Sequence, residues 1–227
     1  MLEDGVSKLD SLEAAFCGCF TYPSLSAASA DFGAMDVSAV SNEKVSKAVS
    51  TTLDAIASMA EDGRILETFL HLHIPKMEDG NNFGVSVQLA SLKQLSELAE
   101  ASTKGIDELS GYANARAEAL DKLKLPSASI SVTKSTSLTT TDGKLEDKKM
   151  ESKEEKSTTN ESAGIGYNSR VAALVAVDTL YYSKAERAFH SVMTMYMACL
   201  DFMDKNKDKI EKPKGSGGSH SGYSSMY

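Results

Sequence analysis

The sequence predicts an all-α protein, an antiparallel four-helix bundle of long helices, and three observations carry that expectation. Ala, Leu, Lys, Glu and Met are plentiful while aromatic residues make up 7% and Trp is absent, a composition that favours helix over sheet. Only Pro23, Pro75, Pro126 and Pro213 interrupt the 227 residues, and proline disrupts a helix interior and restricts the residue before it. Between these breaks apolar residues recur at steps of three and four, the spacing of one helix face.

The first helix is short. Val6, Leu9, Leu12, Phe16 and Cys19 form one stripe that ends before Tyr22-Pro23. From Ser24 to Ala39 small residues dominate with no visible period, so residues 1–40 are expected to be a short helix and a flexible linker. The second helix starts at Ser41-Asn42, both good caps, with Glu43 in the first turn where the helix dipole favours an anion. Val45, Val49, Leu53, Ile56, Met59, Gly63, Leu66, Leu70 and His73 give its stripe, which stops at Ile74-Pro75. Glycine inside a helix costs about 1 kcal/mol relative to Ala. Because Gly63 lies on the apolar stripe, it reads as a close helix contact rather than a break.

The third helix is expected as one long pattern through Val85, Leu89, Leu92, Leu95, Leu98 or Ala99, Ile106, Leu109, Leu120 and Leu123, ending at Leu125-Pro126. A polar insert, residues 127–166, follows; its Lys144 to Lys156 reads K-L-E-D-K-K-M-E-S-K-E-E-K. With so few apolar residues it cannot offset the entropy of ordering, and disorder is expected there. The fourth helix, from about Asn168 to Lys212, has Val175, Tyr182, Phe189, Tyr196, Met203 and Ile210 at every seventh position, with Ala185, Val192 and Cys199 between. A second flank, Leu174, Tyr181, Ala188, Met195 and Phe202, is also apolar. So wide an arc needs burial on more than one side, which predicts oligomer contacts in addition to a core. The helical domain is thus 41–214, and residues 215–227 form a Gly/Ser-rich tail.

Composition excludes several function classes. The formal net charge of -8 offers no basic field for DNA or RNA. No stretch approaches the roughly 18 apolar residues a membrane span needs. The acidic start Met-Leu-Glu-Asp is unlike a secretory signal, and Cys17, Cys19 and Cys199 give no disulfide framework. A reducing compartment, cytoplasm or nucleus, is expected, where the Asn160-Glu161-Ser162 sequon has no meaning. No G-x-S-x-G, P-loop or dinucleotide fingerprint occurs, so no enzyme class is indicated.

The segment between the second and third helices holds the candidate site: Lys76, Met77, Glu78, Asp79, Gly80, Asn81, Asn82, Phe83 and Gly84. Pro75 stops one helix, Gly80 and Gly84 permit backbone angles other residues avoid, and Asn81 and Asn82 tolerate turns while offering donors and acceptors. A calcium loop starting at Asp79 fails, because Phe83 and Ala90 stand where oxygen ligands are required. His71 and His73, two apart on a helix, point in different directions and lack a third ligand. Cys17-Gly18-Cys19 is an incomplete metal site. No metal or cofactor is expected, and Glu78-Asp79 reads as solvated charge or partner contact rather than an acid/base pair.

The run Ile74-Pro75-Lys76-Met77-Glu78-Asp79-Gly80-Asn81-Asn82-Phe83-Gly84-Val85-Ser86-Val87-Gln88 resembles the activation-loop signature of the 11S (REG) proteasome activators, I-P-x-x-E-D-G-N-N-F-G-V-x-V-Q. The similarity extends over Asn42 to Leu125 and over Asn168 to Lys214, with a Lys-Pro-Lys-Gly exit and a terminal Met226-Tyr227. The chain departs from the family in its short first helix, in the placement of its charged insert between the third and fourth helices, and in its Gly/Ser-rich tail. The resemblance implies a heptameric ring that caps the 20S core particle without using ATP. Tails ending in Ser225, Met226 and Tyr227 would enter pockets between the core's outer-ring subunits, and the loop would open the gate. A helical scaffold or adaptor that keeps the fold without activating the proteasome is the alternative.

Overall fold

The computed structural model describes residues 2–36, 41–76, 82–123 and 159–214, with side chains from residue 7 onward and, in the last segment, from residue 166. All the secondary structure among these residues is helical: α1 Leu2–Cys19, α2 Leu25–Ala34, α3 Glu43–His73, α4 Phe83–Ser110, α5 Tyr112–Leu123, α6 Thr159–Lys205 and α7 Lys207–Glu211. The all-helical class and the bundle are as the sequence predicts.

Contacts across the bundle fix its directions. At one end Asn42, which caps α3, meets Asp178 of α6 together with Tyr112 and Arg116 of α5. At the other end His73, closing α3, and Ile210 of α7 both meet Gln88 of α4. The chain therefore runs away from the Asn42 end in α3, back in α4 and α5, and away again in α6. Helix α1 lies against α3 and α6, through Lys8 on Asp62 and through the Tyr182 hydroxyl, which donates to the Cys19 carbonyl at 3.1 Å. Phe189, Tyr196, Ile56, Met59, Leu98 and Leu109 fill the interior, and each such side chain contributes about 1.5–3 kcal/mol by leaving water. Gly63 is a close contact: a Cβ there would sit 3.2 Å from Leu98 Cδ2.

Four features correct the sequence expectation. The linker expected from Ser24 contains helix α2, whose first turn is capped by Ser24 Oγ accepting from the Ala27 amide at 3.2 Å. Only Ala28 and Phe32 of α2 are buried. Phe32 packs edge-on between Tyr22 and Tyr182, and Asp31 binds both the Tyr22 hydroxyl and Lys44. The third helix is not continuous but breaks at Gly111, where a Cβ would come within 2.9 Å of the Tyr181 hydroxyl. The fourth helix begins at Thr159, inside the expected insert, and breaks at Asn206, whose side chain takes the Phe202 carbonyl at 2.8 Å. Finally, the second flank of α6 is covered largely within the chain, with Met195 and Phe202 left half-buried. Leu174, Tyr181 and Ala188 are buried within the chain, Tyr181 against Tyr112 at a ring separation of 5.2 Å.

Candidate functional site

The loop end of the bundle is built from the last turn of α3, the first turns of α4, and α7 with its exit. The last turn of α3 closes with the Ile74 amide donating to the Leu70 carbonyl at 3.0 Å. Pro75 then ends the helix, because the chain before a proline turns extended. His73 stacks on Phe69 at 4.1 Å with Nδ1 2.7 Å from the Phe69 carbonyl, and His71 faces Glu67 at 3.8 Å. The two histidines thus have separate local partners, and among the described residues no group of three His, Cys, Asp or Glu side chains could hold a metal.

Of the sequence-predicted loop residues, Lys76 is exposed at the root on α3, and Asn82, Phe83 and Gly84 form the root on α4. Asn82 starts α4, its carbonyl accepting from the Ser86 amide at 3.0 Å. Phe83 is 60% exposed, with Lys209 Nζ of α7 4.5 Å above its ring, a cation–π contact. Gly84 is buried against the exit from α7: a Cβ there would stand 2.6 Å from the Pro213 carbonyl carbon, and closer still to its oxygen and Cα. Only glycine admits that approach. Met77, Glu78, Asp79, Gly80 and Asn81 lie outside the described residues, as do Ser225, Met226 and Tyr227 of the tail.

One residue that the loop motif contains but that sequence reasoning did not single out organises this end. Gln88 is fully buried, and its amide nitrogen donates to the Ile210 carbonyl at 2.8 Å and the His73 carbonyl at 3.3 Å. One side chain joins α3, α4 and α7. Its own oxygen is buried and accepts no hydrogen bond from the described residues. The signal was present in the sequence: Gln88 stands at an apolar-stripe position between Val85 and Leu92, where a polar residue has to be explained. Pro213 and Lys209 gave no comparable signal, since each acquires its role only through the fold.

The opposite end carries a second buried polar group. Asp178 accepts from Arg116, from the Tyr112 hydroxyl at 2.9 Å and from Asn42 Nδ2 at 3.1 Å, and all four side chains are buried. Burial, with the carboxylate beside it, pushes the Tyr112 hydroxyl well above the ordinary tyrosine range. This group lies far from the loop and binds the helix ends together.

Comparison with known proteins agrees with this geometry. The family described as proteasome activator PA28, C-terminal, matches residues 38–128, which span α3, the loop, α4 and α5. Proteasome activator 28 of Dictyostelium discoideum is 35% identical over 69 residues, covering 30% of this chain and 31% of that protein. Proteasome activator complex subunit 3 of Homo sapiens is 29% identical over 83 residues, covering 37% and 33%. The matched stretch is thus about a third of those relatives' length. The fold is similar to the 11S subunit of the Plasmodium falciparum proteasome, PA28, with a TM-score of 0.53 at 17% identity over 77% of this chain and 58% of that one. It is also similar to a chain in the crystal structure of an archaeal 20S proteasome in complex with a mutated P26 activator, with a TM-score of 0.62 at 18% identity over 93% and 86%. The matched segment is centred on the loop, so over residues 38–128 the chain is similar to the 11S (PA28) proteasome activators, and the helical bundle fold is shared beyond it.

Proposed function

We propose that the chain is a subunit of an ATP-independent activator whose ring caps the 20S core particle in the cytoplasm or nucleus. Its C-terminal residues Ser225 to Tyr227 dock in pockets of the core's outer ring, and its α3–α4 loop displaces the segments that close the gate. The chain acts as a regulator, and peptide bonds are cut inside the core particle. The observation that carries this function is spatial: the loop roots and the exit toward the tail meet at one end of the bundle, in contact through Gly84 and Pro213. Tail and loop can therefore address the same surface.

Self-association has support on α3. Ile65, Phe69 and Leu72 recur at steps of four and three and remain 40%, 37% and 77% exposed, an apolar stripe suited to a neighbouring copy in a ring. A single tail of this length binds weakly, and several copies in one ring raise the effective concentration of the rest. Among the proposed docking residues Tyr227 offers an aromatic anchor.

Peptide hydrolysis by purified 20S core particle, measured with and without the chain, tests the proposal. Wild-type chain is expected to stimulate hydrolysis. Asn81→Tyr, which replaces a small amide of the loop by a bulky ring, is expected to bind the core and compete with wild type while stimulating little. Removal of Ser225 to Tyr227 is expected to leave the assembly mass unchanged and abolish co-sedimentation with the core. A wild-type chain that neither binds nor stimulates the core overturns the proposal and leaves the scaffold or adaptor in its place.

A further inference from the structure

Helix α7 is not a rigid continuation of α6. A break at Asn206 separates it from the long helix, and contacts with α4 hold it in place. Three such contacts occur, all within the first two turns of α4: Lys209 over the Phe83 ring, the Pro213 backbone against Gly84, and the Ile210 carbonyl on Gln88. Ile210 is itself buried. The same Gln88 amide also holds the His73 carbonyl, the last helical residue before the loop. The root of the tail and both roots of the loop are thereby tied to one side chain.

Stability alone does not select glutamine at this position. Methionine fills a similar volume without a buried oxygen that no described residue satisfies. What glutamine adds is a pair of donors aimed at two backbone carbonyls on different elements.

Resting on the function proposed above, we propose that Gln88, with the Gly84–Pro213 contact, couples tail seating to loop placement. A tail held by the core particle pulls on Pro213. That load reaches the first turn of α4 through Gly84 and the end of α3 through Gln88, so docking sets the height and spacing of the loop roots. Gln88 is a positioning residue: it acts through the backbone of the loop and the tail and touches no substrate.

The test uses full-length assembled chain carrying Gln88→Met or Gly84→Ala. The first removes both donors at nearly constant volume. The second drives a methyl group against Pro213 and leaves Gln88 intact, so a folding failure of one variant leaves the other decisive. Affinity for the core particle is expected to stay within about twofold of wild type while maximal stimulation of peptide hydrolysis falls roughly fivefold or more. Hydrogen exchange is expected to rise at residues 207–214 and to stay unchanged in the middle of α3 and α6. Full stimulation by both variants at wild-type affinity overturns the coupling, as does a parallel loss of affinity and stimulation, which would mean that the junction serves tail placement only. A wild-type chain inactive toward the core overturns the functional proposal itself, a result distinct from active wild type beside equally active variants.

Discussion

Asp178 illustrates what a single buried charge requires. Its carboxylate is 3% exposed as a residue and is met by a guanidinium, a phenol and a side-chain amide from two other helices. Removing one partner of a buried pair strands the other charge, which costs more than the pair itself contributes. Arg116→Met is therefore expected to destabilise the chain by about 3–5 kcal/mol in equilibrium urea unfolding. Combining it with Asp178→Leu is expected to recover part of that loss, because no bare charge then remains. A double variant as unstable as the sum of the two singles would show that the residues act independently.

Among the elements, α3 was the most legible. Its Asn42 cap, its stripe and its stop at Pro75 all follow from local chemistry, and its helical range begins and ends where those signals stand. Helix α2 was not legible, because two buried positions in ten residues of small side chains create no period. The breaks at Gly111 and Asn206 were hidden for a different reason. Their surroundings belong to the fold: the Tyr181 hydroxyl leaves no room for a Cβ at Gly111, and α7 beyond Asn206 meets α4 through Gln88. In the candidate site, the motif from Ile74 to Gln88 marked the loop, whereas the meeting of Gly84 with Pro213 required the return of a distant helix. The hold on α2 can be measured. Phe32→Ala empties the aromatic slot between Tyr22 and Tyr182 and is expected to cost about 3–5 kcal/mol, with exchange across α2 rising before that of α3. Unchanged exchange in α2 would mean that the Asp31–Lys44 pair alone anchors it.

For the whole molecule, the core sets an alkaline limit. Burial pushes the Cys199 thiol up to about 11 from 9.0, and it also raises Tyr182, Tyr112 and Tyr196 above the usual tyrosine range. Each of these groups is neutral when protonated, and its folded-state value lies above the unfolded one. The stability contributed through the Cys199 thiol is accordingly complete below pH 9 and is lost as pH rises through about 11, while that of the tyrosines fades only above pH 10, because the unfolded chain releases the protons first. The melting temperature is expected to be insensitive to these groups from pH 7 to 9 and to fall above that range, with Cys199→Ala softening the first part of the fall. A profile identical in wild type and variant would remove the thiol from the account. The bundle also has a polarity of practical use. Leu123 and Thr159, which border the charged insert, belong to the helix pair whose Arg170 guanidinium grips the Lys122 carbonyl at 2.8 Å, on the side remote from Gln88. A fluorescent domain spliced between them would join the bundle at the end remote from the α3–α4 loop, which makes the insert a natural handle for tethering the molecule.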